Sequence, residues 1–143
     1  MITTSTCECA LLAFLTGVHQ PRDSYRMALY GADATLNAQT RRYEPQHECI
    51  GTGYQAGGIL LSGYRAENVQ GVACMTWTDP TWDRVSIKVA GALIYNASKN
   101  NAAIAVIRFD RVWVPHNGEF TPNLPAFTAK TAIVRLGVEQ EQT

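Results

Sequence analysis

The chain has 143 residues and a mass of 15.7 kDa, which suits one domain whose core needs no disulfide or metal support. Its 12 basic and 12 acidic residues give a formal net charge of +0, so it lacks the positive field that binding to nucleic acid or to an anionic membrane requires. No segment approaches the ~20 apolar residues of a membrane span, and the apolar stretch at 9–15 lacks the basic flank of a signal peptide.

Residues 1–45 are predicted to mix helix and strand. Ser5 and Glu8 have the spacing of a capping box, and apolar side chains from Cys7 to Val18 recur at helical spacing, with Leu15 among them. We therefore expect an amphipathic helix of about three turns that ends at Gly17. Apolar and polar residues then alternate over 24–30, which predicts a half-buried strand.

The middle of the chain is predicted to form a second short helix and then a glycine-rich turn. Asp33 is placed to cap this helix, which runs to about Arg42. The glycines within 51–58 provide positive φ or close backbone approach where the chain enters a series of short strands. Apolar alternation and turn residues place these strands at 59–61, 72–77, 85–96, 102–109, 112–114, 119–121 and 132–138.

Short strands with no helices between them predict a mainly β fold. We expect a jelly-roll-like antiparallel β-sandwich with a short N-terminal helical segment, and α+β elements before residue 45. The sequence Asn117-Gly118 is expected to form a hairpin between the strands at 112–114 and 119–121. A single domain should span the whole chain. Its predicted parts are a helix and strand segment packed on the sandwich (1–45), the β-sandwich (46–138) and an unpacked polar tail (139–143).

Two kinds of short motif suggest a ligand, but their surroundings do not support one. The segment GTGYQA at 51–56 matches a relaxed dinucleotide fingerprint, yet that motif leads into a helix and here a strand follows. CEC at 7–9 and HEC at 47–49 offer four zinc ligands, although structural zinc sites favour two-residue gaps. We therefore expect no metal and no cofactor. The four cysteines should be reduced thiols in a chain made in the cytoplasm.

No set of residues in the sequence predicts catalysis. The histidines lie in predicted loops, and the chain has no Gly-x-Ser-x-Gly elbow. One binding interpretation stays open at Asp79, Trp82 and Asp83. An indole can stack on a sugar ring, and two carboxylates can accept hydrogen bonds from its hydroxyls. The simpler reading is that Asp79-Pro80 begins a turn while Trp77 and Trp82 close the ends of the core.

Five segments, in this order, resemble a group of small virion proteins of tailed bacteriophages that are encoded among head-assembly genes. The segments are YRMALYGADATLNAQTRRY (25–43), GTGYQAGGILLSGY (51–64), DPTW (79–82), GALIYN (91–96) and AIAVIRFD (103–110). The similarity extends to about residue 138, and its specificity comes from the order and spacing of short motifs. It implies an all-β structural protein without catalytic residues. Within that group the composition best suits the capsid cement, or decoration, type.

The resemblance implies a non-enzymatic cement protein that stabilises the mature head by bridging neighbouring subunits of the phage major capsid protein. We expect it on the outer surface of the capsid, after synthesis in the host cytoplasm, and as a homo-oligomer, with a dimer favoured. Two alternatives remain: a tail, collar or head-fibre protein of the virion, and a carbohydrate-binding β-sandwich module. Aromatic and Arg side chains outside the predicted core are the best interface anchors. The candidate interface residues are Arg41, Arg42, Tyr43, Tyr54, Trp113 and Phe120.

Overall fold

The computed structural model describes residues 2–136, which form a mainly β fold with antiparallel sheets and one short helix. The elements are β1 (Ile2–Thr6), α1 (Glu8–Leu15), β2 (Tyr25–Tyr30), β3 (Ile59–Leu60), β4 (Arg65–Val69), β5 (Val72–Thr76), β6 (Trp82–Val85), β7 (Val89–Asn96), β8 (Ala102–Trp113), β9 (Gly118–Phe120) and β10 (Val134–Leu136). The mainly β prediction is confirmed. The end of the last predicted strand, at Val138, and the predicted tail at 139–143 lie outside the described residues.

The strands form three sheets. The largest has the order β1-β8-β7-β2-β3, the second has the order β10-β5-β4, and the third pairs β6 with β9. Side chains from all three join one hydrophobic cluster. Jelly-roll connectivity is not confirmed by this strand order. Segment 1–45 also differs from the prediction: β1 and β2 are strands of the large sheet, paired with β8 and β7, so the segment is built into the sheet rather than packed on it.

Strand β2 is buried on both faces, although its alternation predicted a half-buried strand. Met27 and Leu29 are fully buried as expected, but Ala28 and Tyr30 on the other face are also buried. The loop that follows β2 covers this second face, where the Tyr30 hydroxyl donates to the carbonyl of Glu44 at 2.6 Å. Strands covered on both faces bury residues of either parity.

The start of the chain forms a strand where a helix cap was predicted. Ser5 lies in β1, opposite Val106 of β8, so its hydroxyl cannot cap the helix and the capping-box prediction is wrong. The cap position is instead Cys7, which makes no side-chain capping bond. Three of the five residues of β1 are threonines, which favour strands, and pairing with β8 satisfies their backbone groups.

Helix α1 is shorter than predicted and buries little of its apolar surface. It ends at Leu15, and Gly17 follows with φ 77, so the predicted glycine stop is confirmed. The predicted apolar stripe is wrong at its end, because Leu15 is 81% exposed and Val18 is 40% exposed. Ala10 is the buried residue of the helix.

The second predicted helix, from Asp33 to Arg42, does not form. Residues 31–50 are instead an irregular loop whose backbone groups bond to β2 and to the start of β8. Examples are the N–H of Cys49 to the carbonyl of Leu29 and the N–H of Ala103 to the carbonyl of Arg41, both at 2.9 Å. Backbone groups of the loop therefore bond to the strands, and these bonds would be lost if the segment formed a helix.

The predicted hairpin at Asn117-Gly118 is also wrong in its pairing. Asn117 has φ 48 and turns the chain, but β9 pairs with β6 and not with the end of β8. The end of β8 pairs with β7, through Trp113 opposite Val89. Crossing to β6 places the ring of Phe120 against the buried core, which an isolated two-stranded hairpin would not do.

Candidate functional site

The glycine turn holds a buried carboxylate that fixes the neighbouring loop. Glu48 is only 7% exposed, and three donors surround it. The Tyr43 hydroxyl donates to Oε1 at 2.6 Å, while the Tyr54 hydroxyl and the Gly57 N–H donate to Oε2 at 2.5 Å and 2.8 Å. Buried charges need such compensation. We call Glu48, Tyr43, Tyr54 and Gly57 the Glu48 cluster.

The two tyrosines also tie the Glu48 cluster to the large sheet. The Tyr43 ring stacks on Tyr95 of β7 with ring centroids 4.8 Å apart, and the Tyr54 hydroxyl accepts a bond from the Leu29 N–H of β2 at 2.9 Å. Burial, reinforced by the hydrogen bond to Glu48, raises the pKa of both phenols, so they stay protonated and donate. Their hydroxyls are therefore committed internally, which limits what Tyr43 and Tyr54 offer a partner to the half-exposed parts of their rings.

The glycine turn needs its glycines for close approach, as the sequence predicted. Gly58 has φ +79, and a Cβ there would collide with the backbone carbonyl of Met27. The Tyr95 hydroxyl donates to the carbonyl of Gly57 at 2.6 Å, and Arg26 donates to the carbonyl of Gly58 at 2.8 Å. The turn is thus pressed against β2 and β7 and is held there by side chains of both strands.

Arg41 and Arg42 lie on the exposed part of the loop, while their backbone is fixed. The carbonyl of Arg41 accepts from Ala103, and Arg42 forms a β-bridge with Ala102 at the start of β8. Both line a cavity of about 570 Å³ together with Asp33. These two guanidinium groups therefore project from a rigid backbone near one end of β8.

Trp113 and Phe120 have different environments. Trp113 ends β8 and is 39% exposed, with the guanidinium of Arg111 3.8 Å from its ring centroid. Phe120 is 8% exposed, and its ring packs against Trp82 and Phe109 with centroids 6.3 and 5.9 Å away. The candidate interface is corrected here: Phe120 closes the core and presents no free ring to a partner.

The structure does not gather the candidate interface residues into one patch. Arg42 lies beside the first residue of β8, and Trp113 is its last. A strand of 12 residues separates these ends by about 35 Å, because each residue advances about 3.3 Å. Arg42 and Trp113 therefore lie at opposite ends of one strand.

The sequence analysis missed an exposed apolar groove beside the Trp113 end. Ile50 is 94% exposed and Val114 is 59% exposed. Both line a cavity of about 460 Å³ with the buried Ile87 and with Pro115. We call this the Ile50 groove. An isolated isoleucine before a glycine turn carries no periodic signal, so only the three-dimensional arrangement identifies it.

A second polar network lies between the end of α1 and the β7–β8 hairpin. Asp23 accepts from Lys99 at 2.8 Å, from the Asn96 amide at 2.8 Å and from the Gln20 N–H at 3.0 Å. The same amide contacts Nδ1 of the buried His19 at 2.9 Å. Burial alone would raise the pKa of Asp23, but the bonds from Lys99, Asn96 and Gln20 outweigh it and lower the pKa to about 2.

The Asp23 network predicts a pH-dependent stability. A lowered pKa means that the stabilisation is complete above the unfolded value near 3.9 and is lost as the pH falls towards 2. Asp23→Asn should therefore be less stable than the natural protein at neutral pH, and the difference should shrink below pH about 4. Urea unfolding from pH 7 to pH 2 measures this.

Asp33→Asn, which removes one exposed carboxylate, is the control for the loss of charge. A stability difference for Asp23→Asn that stays constant down to pH about 2 would contradict the assignment.

No match was found when the chain was compared with protein families, with curated proteins and with solved structures. Within residues 2–136, no helix is both long and apolar enough to cross a membrane, and no three His, Cys, Asp or Glu side chains come together as metal ligands. The four cysteines are unpaired thiols. Burial raises the pKa of Cys7 and of Cys49 to about 12, which makes both unreactive.

Proposed function

We propose that this protein is a non-enzymatic phage capsid cement protein that bridges neighbouring subunits of the major capsid protein on the outer surface of the head. The observation that carries the proposal is the Ile50 groove, where an isoleucine 94% exposed and a valine 59% exposed border one cavity. Apolar side chains grouped at a concave surface are typical of a protein contact. The ordered motifs of residues 25–110 support a virion protein.

The rigidity of the groove supports a binding role. Ile50 follows directly on Glu48 and Cys49, and the Cys49 N–H donates to the carbonyl of Leu29 at 2.9 Å. The Glu48 cluster fixes the residues on both sides of Ile50. A surface that is ordered before binding loses less conformational entropy on association, so a small contact can still be effective. Repetition over many copies on a shell adds to this effect.

Two separate surfaces suit a bridging protein. The Arg41–Arg42 loop and the Ile50 groove are separate surfaces that line different cavities, and the buried Glu48 lies between them in the chain. A protein that joins two capsid subunits needs two contact surfaces of this kind, whereas a simple ligand-binding module needs one. The balanced net charge of +0 also suits permanent association with another protein.

The alternatives are less well supported by the geometry. A carbohydrate-binding module would need an open aromatic platform, but Trp82 is 6% exposed and is packed between Tyr54 and Phe120. A tail, collar or head-fibre protein could use the same two surfaces. Localisation on purified particles separates it from a cement protein, because a cement protein occupies regular sites over the shell and not one vertex or the particle axis.

The experiment removes the protein from assembled particles and adds back purified variants. Natural protein should rebind the shells and restore their rupture temperature. Ile50→Asp with Val114→Asp should abolish rebinding, because charges replace the apolar contact. Leu12→Asp changes a residue 65% exposed on α1 and is the matched control, which should behave like the natural protein.

A second variant separates binding from bridging. Arg41→Ala with Arg42→Ala leaves the Ile50 groove intact, so it should still bind to shells but should not restore their rupture temperature. Stripped shells that are as robust as intact ones would refute the cement role. Full restoration by the arginine variant would remove that loop from the proposed bridge.

A further inference from the structure

Strand β4 is an exposed edge with a polar sequence. It is the outermost strand of the sheet β10-β5-β4, and its first four residues are exposed. Within residues 2–136, no strand pairs with its outer side. An edge of this kind presents free backbone donors and acceptors to any strand that can align with it.

The hairpin that follows β4 determines which backbone groups face outward. Gln70 and Gly71 have φ 51 and 85, as in a two-residue turn, and Val69 lies opposite Val72. Backbone bonds in an antiparallel pair alternate, so Val69 and every second residue before it bond to β5. The N–H and C=O groups of Ala66 and Asn68 therefore point away from the sheet.

We propose that two copies of this chain pair through β4 in an antiparallel register centred on Ala66, which joins the two three-stranded sheets into one of six strands. In this register Ala66 faces Ala66 of the second copy, and the outward groups of both strands bond to each other. This gives the predicted homodimer a surface. The inference does not depend on the capsid role.

Charge selects this register and favours a second copy as the partner. Arg65 and Glu67 are on the same face of β4, and centring on Ala66 sets each Arg65 opposite Glu67 of the other copy. The neighbouring register, centred on Glu67, would oppose two carboxylates. Opposite charges across strands stabilise pairing and like charges destabilise it. The strand is thus complementary to itself.

Arg65 is already ordered for such a contact. Its Nε donates to Glu67 at 2.5 Å, and its guanidinium lies 4.1 Å from the ring centroid of Phe127. Both charged side chains nevertheless remain about half exposed, at 53% and 51%. A second copy would therefore meet two positioned charges, and each charge would gain a second partner of opposite sign.

The test uses sedimentation equilibrium over a concentration series. Natural protein should be a dimer. Arg65→Glu and Glu67→Arg each create two like-charge pairs and should each lower the association constant at least about tenfold. Mixing the two variants should restore a dimer, because the two carboxylates on β4 of one variant then face the two guanidinium groups on β4 of the other. The double variant with both substitutions should also dimerise.

Glu119→Arg is the matched control, since it makes the same charge change at an exposed position outside β4. Circular dichroism should show all the variants folded, because the substituted side chains are exposed. Natural protein that is monomeric at every concentration would overturn the proposal. The charged side chains of β4 would then serve to prevent strand pairing. Single variants that dimerise like the natural protein, or a mixture that does not associate, would also overturn it. None of these outcomes bears on shell binding through the Ile50 groove.

Discussion

Leu93→Ala should lower the free energy of unfolding by about 2–5 kcal/mol. Leu93 is 1% exposed in β7, where it lies opposite Ala28 of β2 and Val106 of β8. Truncation removes buried apolar contacts and leaves a cavity that two paired neighbours prevent from closing. Urea unfolding followed by tryptophan fluorescence measures the change.

Trp82→Ala carries the same expectation, because its indole is packed between two aromatic rings. Leu12→Ala, on the exposed face of α1, is the control and should change stability by less than about 0.5 kcal/mol. A loss below about 1 kcal/mol at Leu93 would contradict the core assignment. The same small loss at Trp82 would mean that its ring faces solvent or a ligand, and it would restore the carbohydrate-binding alternative.

The sequence predicted the central strands β2, β7 and β8 and missed the edge strands β1 and β4. β7 is a long apolar run and β2 shows apolar and polar alternation, so the existence of both strands was evident. β4 was missed because it is exposed on both faces and has no apolar alternation to detect. β1 was missed because Ser5 and Glu8 have the spacing of a helix cap, and this local preference was overridden by pairing with β8.

The site was predictable only in part. Aromatic and arginine residues outside the apolar pattern indicated the loop at 41–43 and the glycine turn as candidate sites. The pattern could not show that Tyr43 and Tyr54 converge on one carboxylate, because Glu48 reaches partners five residues before it and six after it. That convergence depends on the path of the turn, and the path depends on backbone conformations that only glycine adopts readily.

The second large effect on the free energy of unfolding is expected at the Glu48 cluster. Glu48→Ala should lower the free energy of unfolding by about 3–5 kcal/mol, since it leaves two hydroxyls and one buried N–H without their acceptor. Glu48→Gln should cost less. A glutamine oxygen can still accept from Tyr54 and Gly57, and the Tyr43 hydroxyl can rotate to accept from the amide. Glu44→Ala, at an exposed position in the same loop, should change stability by less than about 0.5 kcal/mol.

A second measurement distinguishes the cluster from an ordinary core position. Hydrogen exchange at the N–H of Gly57 should accelerate strongly in Glu48→Ala and only slightly in Leu93→Ala, under conditions where both remain folded, because Glu48 is the direct acceptor of that N–H. Glu48→Ala that is as stable as Glu44→Ala, with Gly57 still protected, would show that the carboxylate does not hold the turn. If the turn does loosen, Ile50 loses its fixed position. Glu48→Ala should then bind stripped shells more weakly than Glu48→Gln, which keeps a side chain of the same length where Glu48 lines the groove.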